Sequence, residues 1–149
     1  MSQSPVRLSK NFLLREFACR DGSAVPPSAV PALREWCERW GEPLRKRFGP
    51  VQVTSGYRTR AYNARVGGAD RSYHVYDLRH PAKIIGANRW DIAVDVVPAT
   101  GHVTDWQQWA SATLRRGQQG FGSSRGAAVG YPRSGFIHLD TGPRRTWAG

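Results

Sequence analysis

Two short stretches of this chain alternate like β-strands yet carry ionisable groups along one face, and that combination narrows the folds open to it. From Trp90 to Val97, Ile92, Val94 and Val96 point one way while Asp91, Ala93, Asp95 and Val97 point the other. In Phe136-Ile137-His138-Leu139-Asp140, His138 and Asp140 share the face opposite Ile137 and Leu139. The apolar side of each strand must be covered by a second layer, and the polar side must meet solvent or a specific partner. A solvated sheet face accounts for His138 and Asp140 as readily as a metal ligand with its base or orienting group does. Asp91 and Asp95 on one face repel each other unless they are solvated or bound to a cation.

The second layer is legible upstream. Ser28 is expected to cap a helix running to about Arg47, with Val30, Leu33, Trp36 or Cys37, Trp40 and Leu44 in one apolar stripe. Pro31 suits its first turn, Pro43 should kink or end it, and Gly49-Pro50 stops it. A short helix from Lys10 to Phe17 is expected behind Ser9, and Gly22 and Pro26-Pro27 break the chain after it. Val51 and Val53 alternate with Gln52 and Thr54 as a strand does. Thr59 to Val66 reads as a short helix closed by Gly67-Gly68, and Thr104 should cap a helix from about Asp105 to Arg116. Gly117 to Gly126 reads as a loop, with Ala127 to Val129 and Gly135 to Asp140 as closing strands. The expected class is α+β, N-terminal helices packed on a small, mainly antiparallel sheet. A chain of 149 residues without internal repeat or domain-scale linker is expected to form a single domain, 1–149.

Composition excludes some functions. Six Trp and 40% hydrophobic residues indicate a folded protein, and no run approaches the roughly 18 apolar residues of a membrane span. The start, Met1 to Pro5, is polar and lacks the apolar core of a signal peptide, so synthesis in the cytoplasm without general secretory export is expected. The net charge of +11, mostly from arginine, favours anionic partners: nucleic acid, or a bacterial wall with its phosphate polymers and peptide carboxylates. The arginines are scattered, and no helix-turn-helix, finger or aromatic RNA motif accompanies them, so nucleic-acid binding rests on charge alone. Cys19 and Cys37 lack a CxxC spacing. Two free, buried thiols are the plain expectation, and a disulfide would need Cα atoms within about 7 Å.

A third segment, Ser72-Tyr73-His74, joins the two strands. Alone, a histidine after a Gly-rich turn is more often a surface residue. With Asp95 and His138, His74 completes two histidines and one carboxylate, the donor set of an open catalytic zinc site with one coordination position left for water. Around it run Thr54-Ser55-Gly56-Tyr57-Arg58-Thr59, Tyr62-Asn63 and Val66-Gly67-Gly68-Ala69. Together with Gly135 to Arg145 and Phe12-Leu13 to Cys19, this block resembles the zinc D-Ala-D-Ala carboxypeptidases and related peptidoglycan endopeptidases. Those enzymes share a fold group with lysostaphin and the hedgehog signalling domain.

The resemblance implies roles. His74, Asp95 and His138 would bind Zn2+. Arg58 would contact a substrate carboxylate or carbonyl, or stabilise the oxyanion of the tetrahedral intermediate. Asp140 would act as general base or orient His138. Tyr57, Ser72 and Tyr73 would shape the substrate site, packing being their plainer role. The family pattern runs Ser-x-His-x-x-Gly-x-Ala-x-Asp, whereas Val75 to Val94 separates His74 from Asp95 here. Residues 76–89 are therefore expected to be an insertion beside the cleft, containing Asp77 and His80 as competing ligands. Asp95 is preferred because it ends the Ala-x-Asp of a strong strand. The implied activity is hydrolysis of wall stem peptides by a monomer, in a phage lysis or virion-associated setting. The disturbed spacing motivates a second reading, a catalytically degenerate module that binds wall or packs within a virion.

Overall fold

A computed structural model of the chain describes residues 5–78, 91–116, 125–143, 147 and 149. A four-stranded antiparallel sheet forms its centre. The strands are β3 (Val51–Ser55), β4 (Ala93–Pro98), β5 (Arg125–Tyr131) and β6 (Phe136–Pro143), in the order β3-β4-β6-β5. Before them β1 (Arg7–Ser9) and β2 (Phe12–Leu13) make a small antiparallel pair. The helices are α1 (Val30–Trp36), α2 (Glu42–Phe48), α3 (Arg60–Arg65) and α4 (Val103–Arg115). No helix among the described residues is long and apolar enough to cross a membrane.

The alternation in the two ligand-bearing strands decides what the sheet covers. Val94 and Val96 of β4 and Ile137 and Leu139 of β6 are buried in one core with Leu33, Trp36, Trp40 and Leu44 from the α1–α2 segment and Trp106, Ala110 and Leu114 from α4. The helices therefore cover one face, and Asp95 and His138, directly opposite each other across β4 and β6, belong to the other. Trp40 and Trp109 meet edge to face at 6.0 Å where the two helical segments approach.

Several elements depart from expectation for physical reasons. The helix expected over Lys10 to Phe17 is instead the end of the β1–β2 pair followed by one 3-10 turn, Leu14–Phe17. Glu42, on α2, accepts hydrogen bonds from the Ser9 hydroxyl and from the Asn11 backbone and side-chain amides, which draws residues 9–11 out of a helical path. The 3-10 turn is capped from within, with Glu16 accepting from the Leu13 N–H at 2.6 Å.

The long helix begins with a 3-10 turn, Pro27–Ala29, and no Ser28 cap. Pro43 does not end it. A π-helical turn, Cys37–Gly41, precedes the proline, and the Glu42 N–H reaches back to the Cys37 carbonyl. The wider turn absorbs the residue that cannot donate. Helix α4 starts one residue before the expected cap, and Asp105 accepts from the His102 N–H at 2.8 Å. Cys19 and Cys37 are both free and buried, and burial pushes the Cys37 thiol up to about 12. The loop expected over Gly117 to Gly126 lies mostly outside the described residues.

Candidate metal centre

The block around Gly56 builds the frame of the site. β3 ends at Ser55, and the chain turns at Gly56 so close to residue 17 that a Cβ would meet the Phe17 carbonyl oxygen at 2.7 Å and its Cα at 2.8 Å. Only glycine fits that approach. The turn clasps the segment carrying His74. The Arg58 N–H donates to the His74 carbonyl at 2.8 Å, and the Gly56 carbonyl lies 2.8 Å from His74 Nδ1. The Ser72 hydroxyl accepts from the His74 N–H at 3.1 Å, and the Ala93 N–H donates to the Tyr73 carbonyl at 3.1 Å. His74 is thus fixed to both β3 and β4 although many residues separate it from Asp95.

The Tyr62-Asn63 and Gly67-Gly68 pairs complete the frame. Thr59 caps α3 by accepting from the Tyr62 N–H. Asn63 accepts from Arg58 Nη1 at 3.2 Å and donates to the Ala69 carbonyl at 2.8 Å. A Cβ at Gly68 would collide with the Asn63 amide oxygen. Arg58 also donates through Nε to the Ser55 hydroxyl at 3.2 Å. Held at these points, it places Nη2 3.6 Å from Asp95 Oδ2.

At the centre, Asp95 Oδ1 lies 3.2 Å from His74 Nε2 and 3.0 Å from His138 Nδ1. The three side chains are buried, and their donor atoms all lie within 4.8 Å of one another. Each imidazole is held from behind. His74 Nδ1 donates to the Gly56 carbonyl, and His138 Nε2 donates to Asp140 Oδ2 at 2.7 Å. In the neutral rings this leaves a lone pair on each facing nitrogen, both aimed at a carboxylate oxygen. Such a grouping repels itself unless a cation or a proton joins it. Ligand atoms about 2.0–2.1 Å from a tetrahedral zinc sit roughly 3.3 Å apart, close to the spacing seen between Asp95 and the two rings. Donor types, tautomers and spacing therefore fit zinc.

Without metal, protons supply the missing charge. Burial pushes the Asp95 carboxyl up, but the His74 charge and hydrogen bonds from both imidazoles outweigh it and hold the group well below the usual carboxylate range. Burial pushes His138 down, but its hydrogen bonds to Asp140 and Asp95 and their charges raise it to about 9.

The remaining expected residues separate. Asp140 is fully buried, with Oδ2 on His138 and Oδ1 accepting from the Gly142 N–H at 2.9 Å. It stands behind His138, so its geometry is that of an orienting group. Asp95 is the one carboxylate among the described residues lining the cleft. Tyr57 does not line the cleft. It is buried, packs on Tyr76 at 5.5 Å and donates to Asp77 Oδ2 at 2.6 Å. That bond engages Asp77 away from the three donors. Ser72 and Tyr73 do line the cleft, with Arg58 and Arg71. His80 and most of the 76–89 segment lie outside the described residues. Asp91 is buried and accepts from the Thr141 hydroxyl at 3.3 Å, so it faces β6 and not Asp95.

Sequence reasoning passed over two groups. Trp36 and Trp40 donate through Nε1 to the Leu139 and Asp140 carbonyls at 3.0 and 3.1 Å, gripping β6 beside His138. Their helical spacing marked them as core, but nothing in it showed that their N–H groups reach the ligand strand. Tyr131, Phe136 and Trp147 form a wall of the cleft. Trp147 lies two residues beyond the closing motif block, where its role had no signal.

A probable peptidoglycan L,D-endopeptidase MepK of Haemophilus influenzae is 31% identical over 111 residues, covering 71% of this chain and 47% of its own length. The peptidoglycan L,D-endopeptidase MepK of Escherichia coli K12 is 32% identical over 103 residues, 66% of this chain and 43% of its own. The chain thus spans about half the length of the curated relatives it matches. No solved structure matches it with significance. The sequence model of the family described as Peptidase M15 matches residues 7–140, nearly the whole chain, and the chain belongs to the peptidase M15 family.

Proposed function

We propose that this protein is a zinc-dependent peptidase that cleaves the stem peptides of bacterial peptidoglycan, as a D-Ala-D-Ala carboxypeptidase or an endopeptidase. The observation that carries the reading is the convergence of His74, Asp95 and His138, each imidazole locked from behind, at the floor of a cleft that Arg58 also lines. The activity named for the two relatives favours the endopeptidase. A bound zinc ion would supply the Lewis acid that activates water and polarises a carbonyl at neutral pH.

The chain's own residues do the rest. His74, Asp95 and His138 would hold the ion, and Asp140, hydrogen-bonded to His138 Nε2, would fix the tautomer and angle of that ring. Arg58, braced by Ser55 and Asn63, presents its guanidinium to a substrate carboxylate or to the oxygen that gains charge during attack. The antiparallel sheet with helices on one face supports a hedgehog/D-Ala-D-Ala-peptidase-like fold, and the family spacing between His74 and Asp95 supports reading residues 76–89 as an insertion in a single domain. The basic charge suits action at an anionic wall, and the reading is of a monomer working in phage lysis or within a virion.

The test is purified protein on peptidoglycan, with zinc and with chelator, released amines and fragments being identified by mass spectrometry. Zinc-dependent release of D-Ala or a stem fragment, lost in His138→Ala and in Asp95→Ala, is the expected result. Folded, zinc-loaded protein that yields no product from several wall types overturns the reading in favour of a wall-binding or virion structural module.

A further inference from the structure

The cleft is lined by groups of two kinds: the basic residues Arg58 and Arg71, and an aromatic wall of Tyr131, Phe136 and Trp147. Tyr131 and Phe136 pair across the end of the β5–β6 ladder and stack at 4.6 Å with 17° between their planes. Trp147 closes this wall against the metal centre. Its indole stands edge to face on the His138 ring, centroids 5.1 Å apart at 73°. Its Nε1–H donates to the Tyr131 hydroxyl at 2.7 Å.

Trp147 is 37% exposed and lies outside the core cluster. A large aromatic ring held at both ends yet open to solvent contributes little to the core, and its exposed part faces the space a ligand would fill. With the N–H directed to Tyr131, the ring face is what it offers a ligand. Tyr131 accepts that bond, so its own O–H proton is directed to another acceptor.

We propose that Trp147 is a positioning and specificity-determining residue. Its ring forms the surface on which an aliphatic side chain of the substrate peptide packs, and its N–H aims the Tyr131 hydroxyl at a substrate carbonyl. The proposal rests on the peptidase reading above. It assigns the two sides of the bound peptide. Carboxylate groups lie toward Arg58 and Arg71, and apolar side chains toward Trp147.

The test uses zinc-loaded wild type, Trp147→Ala, Trp147→Phe, Tyr131→Phe and the Trp147→Phe/Tyr131→Phe double variant. The probes are a panel of synthetic stem peptides ending in D-alanine, and zinc alone. Peptide binding is read by stopped-flow tryptophan fluorescence before turnover, cleavage as kcat and KM, and zinc affinity by competition with a chromophoric chelator. Trp147→Ala should weaken peptide binding about tenfold, the value of one lost aromatic packing surface, and raise KM in step. Its zinc affinity should fall by less than its peptide binding does, because Trp147 gives His138 one ring contact while the Asp140 hydrogen bond still holds that imidazole. Trp147→Phe and Tyr131→Phe should each lower kcat/KM, and the double variant should be no worse than either, because both break one interaction.

Wild-type cleavage that Trp147→Ala leaves unchanged overturns this proposal alone. So does a peptide defect that only follows a loss of zinc affinity, since Trp147 would then be a mere support for His138. Wild-type protein that neither binds nor cleaves any peptide of the panel overturns the peptidase reading and this inference together.

Discussion

Asp95 meets two imidazole nitrogens at 3.0 and 3.2 Å and a guanidinium at 3.6 Å, all in a buried setting. In metal-free protein a proton on His138, raised to about 9, supplies part of the balancing charge, and zinc must displace it. Zinc uptake near pH 7 is therefore expected to release about one proton, read by calorimetry in buffers of different ionisation enthalpy. The same group makes metal-free stability depend on pH. Its folded pKa lies above the unfolded value of about 6.5, so its contribution is complete below that pH and is lost as pH rises through about 9. Melts of chelated protein should fall across that window, and melts of zinc-loaded protein should not follow them. A flat profile in the chelated protein would remove the paired proton from the account. Asp140→Asn separates the two roles open to that carboxylate. An orienting group should cost about 10–100-fold in zinc affinity, whereas a base would cost kcat with zinc affinity intact. Strand alternation was enough to put His138 and Asp140 on one face. It could not show that Asp140 is sealed behind the ring, because that depends on Ala93 and Ala127 pairing with it on either side and on the Gly142 N–H.

At the level of elements, the site is held by its back. β6 is hydrogen-bonded on both sides by β4 and β5, and Trp36 and Trp40 add two donors to the Leu139 and Asp140 carbonyls. The helical layer thus anchors the strand that carries His138 as well as covering the core. Trp40→Phe keeps an aromatic filler but removes that donor and opens a small void. It should lower stability by about 1–3 kcal/mol in denaturant titrations, and it should weaken zinc binding as well. Stability lost with zinc affinity unchanged would show that Trp40 serves the core alone. The apolar stripe that predicts this helix follows from the spacing of Leu33, Trp36, Trp40 and Leu44. The π-helical turn does not, because local propensity gives no hint that the chain will widen a turn to carry Pro43. The β1–β2 pair escaped for a related reason. Glu42, more than 30 residues away in sequence, takes the hydrogen bonds that would have started a helix at Ser9.

Across the whole molecule, the charge and the site answer different questions. The +11 charge is spread over the chain and acts through solvent, while the donors that define the centre are buried. The motif block was legible because each of its residues serves a local purpose. Gly56 permits a close approach, Asn63 and Ser55 brace Arg58, and Ser72 accepts from the His74 N–H. The aromatic wall was not, because Tyr131 and Phe136 meet through the β5–β6 pairing and Trp147 joins them through a hydrogen bond to Tyr131, 16 residues away in sequence. Charge and site should also separate in experiment. Attraction between an arginine-rich surface and an anionic wall is screened once the Debye length falls from about 10 Å at 0.1 M salt to about 3 Å at 1 M. Adsorption to purified wall, measured by co-sedimentation, should therefore fall steeply over that range. Cleavage of a short soluble stem peptide should change much less, since Arg58 is mostly buried and braced beside Asp95, where salt screens poorly. If both fell together, the surface charge would be part of the substrate site itself. If adsorption ignored salt, the affinity for wall would have to come from the cleft, and the excess of arginine would need another partner.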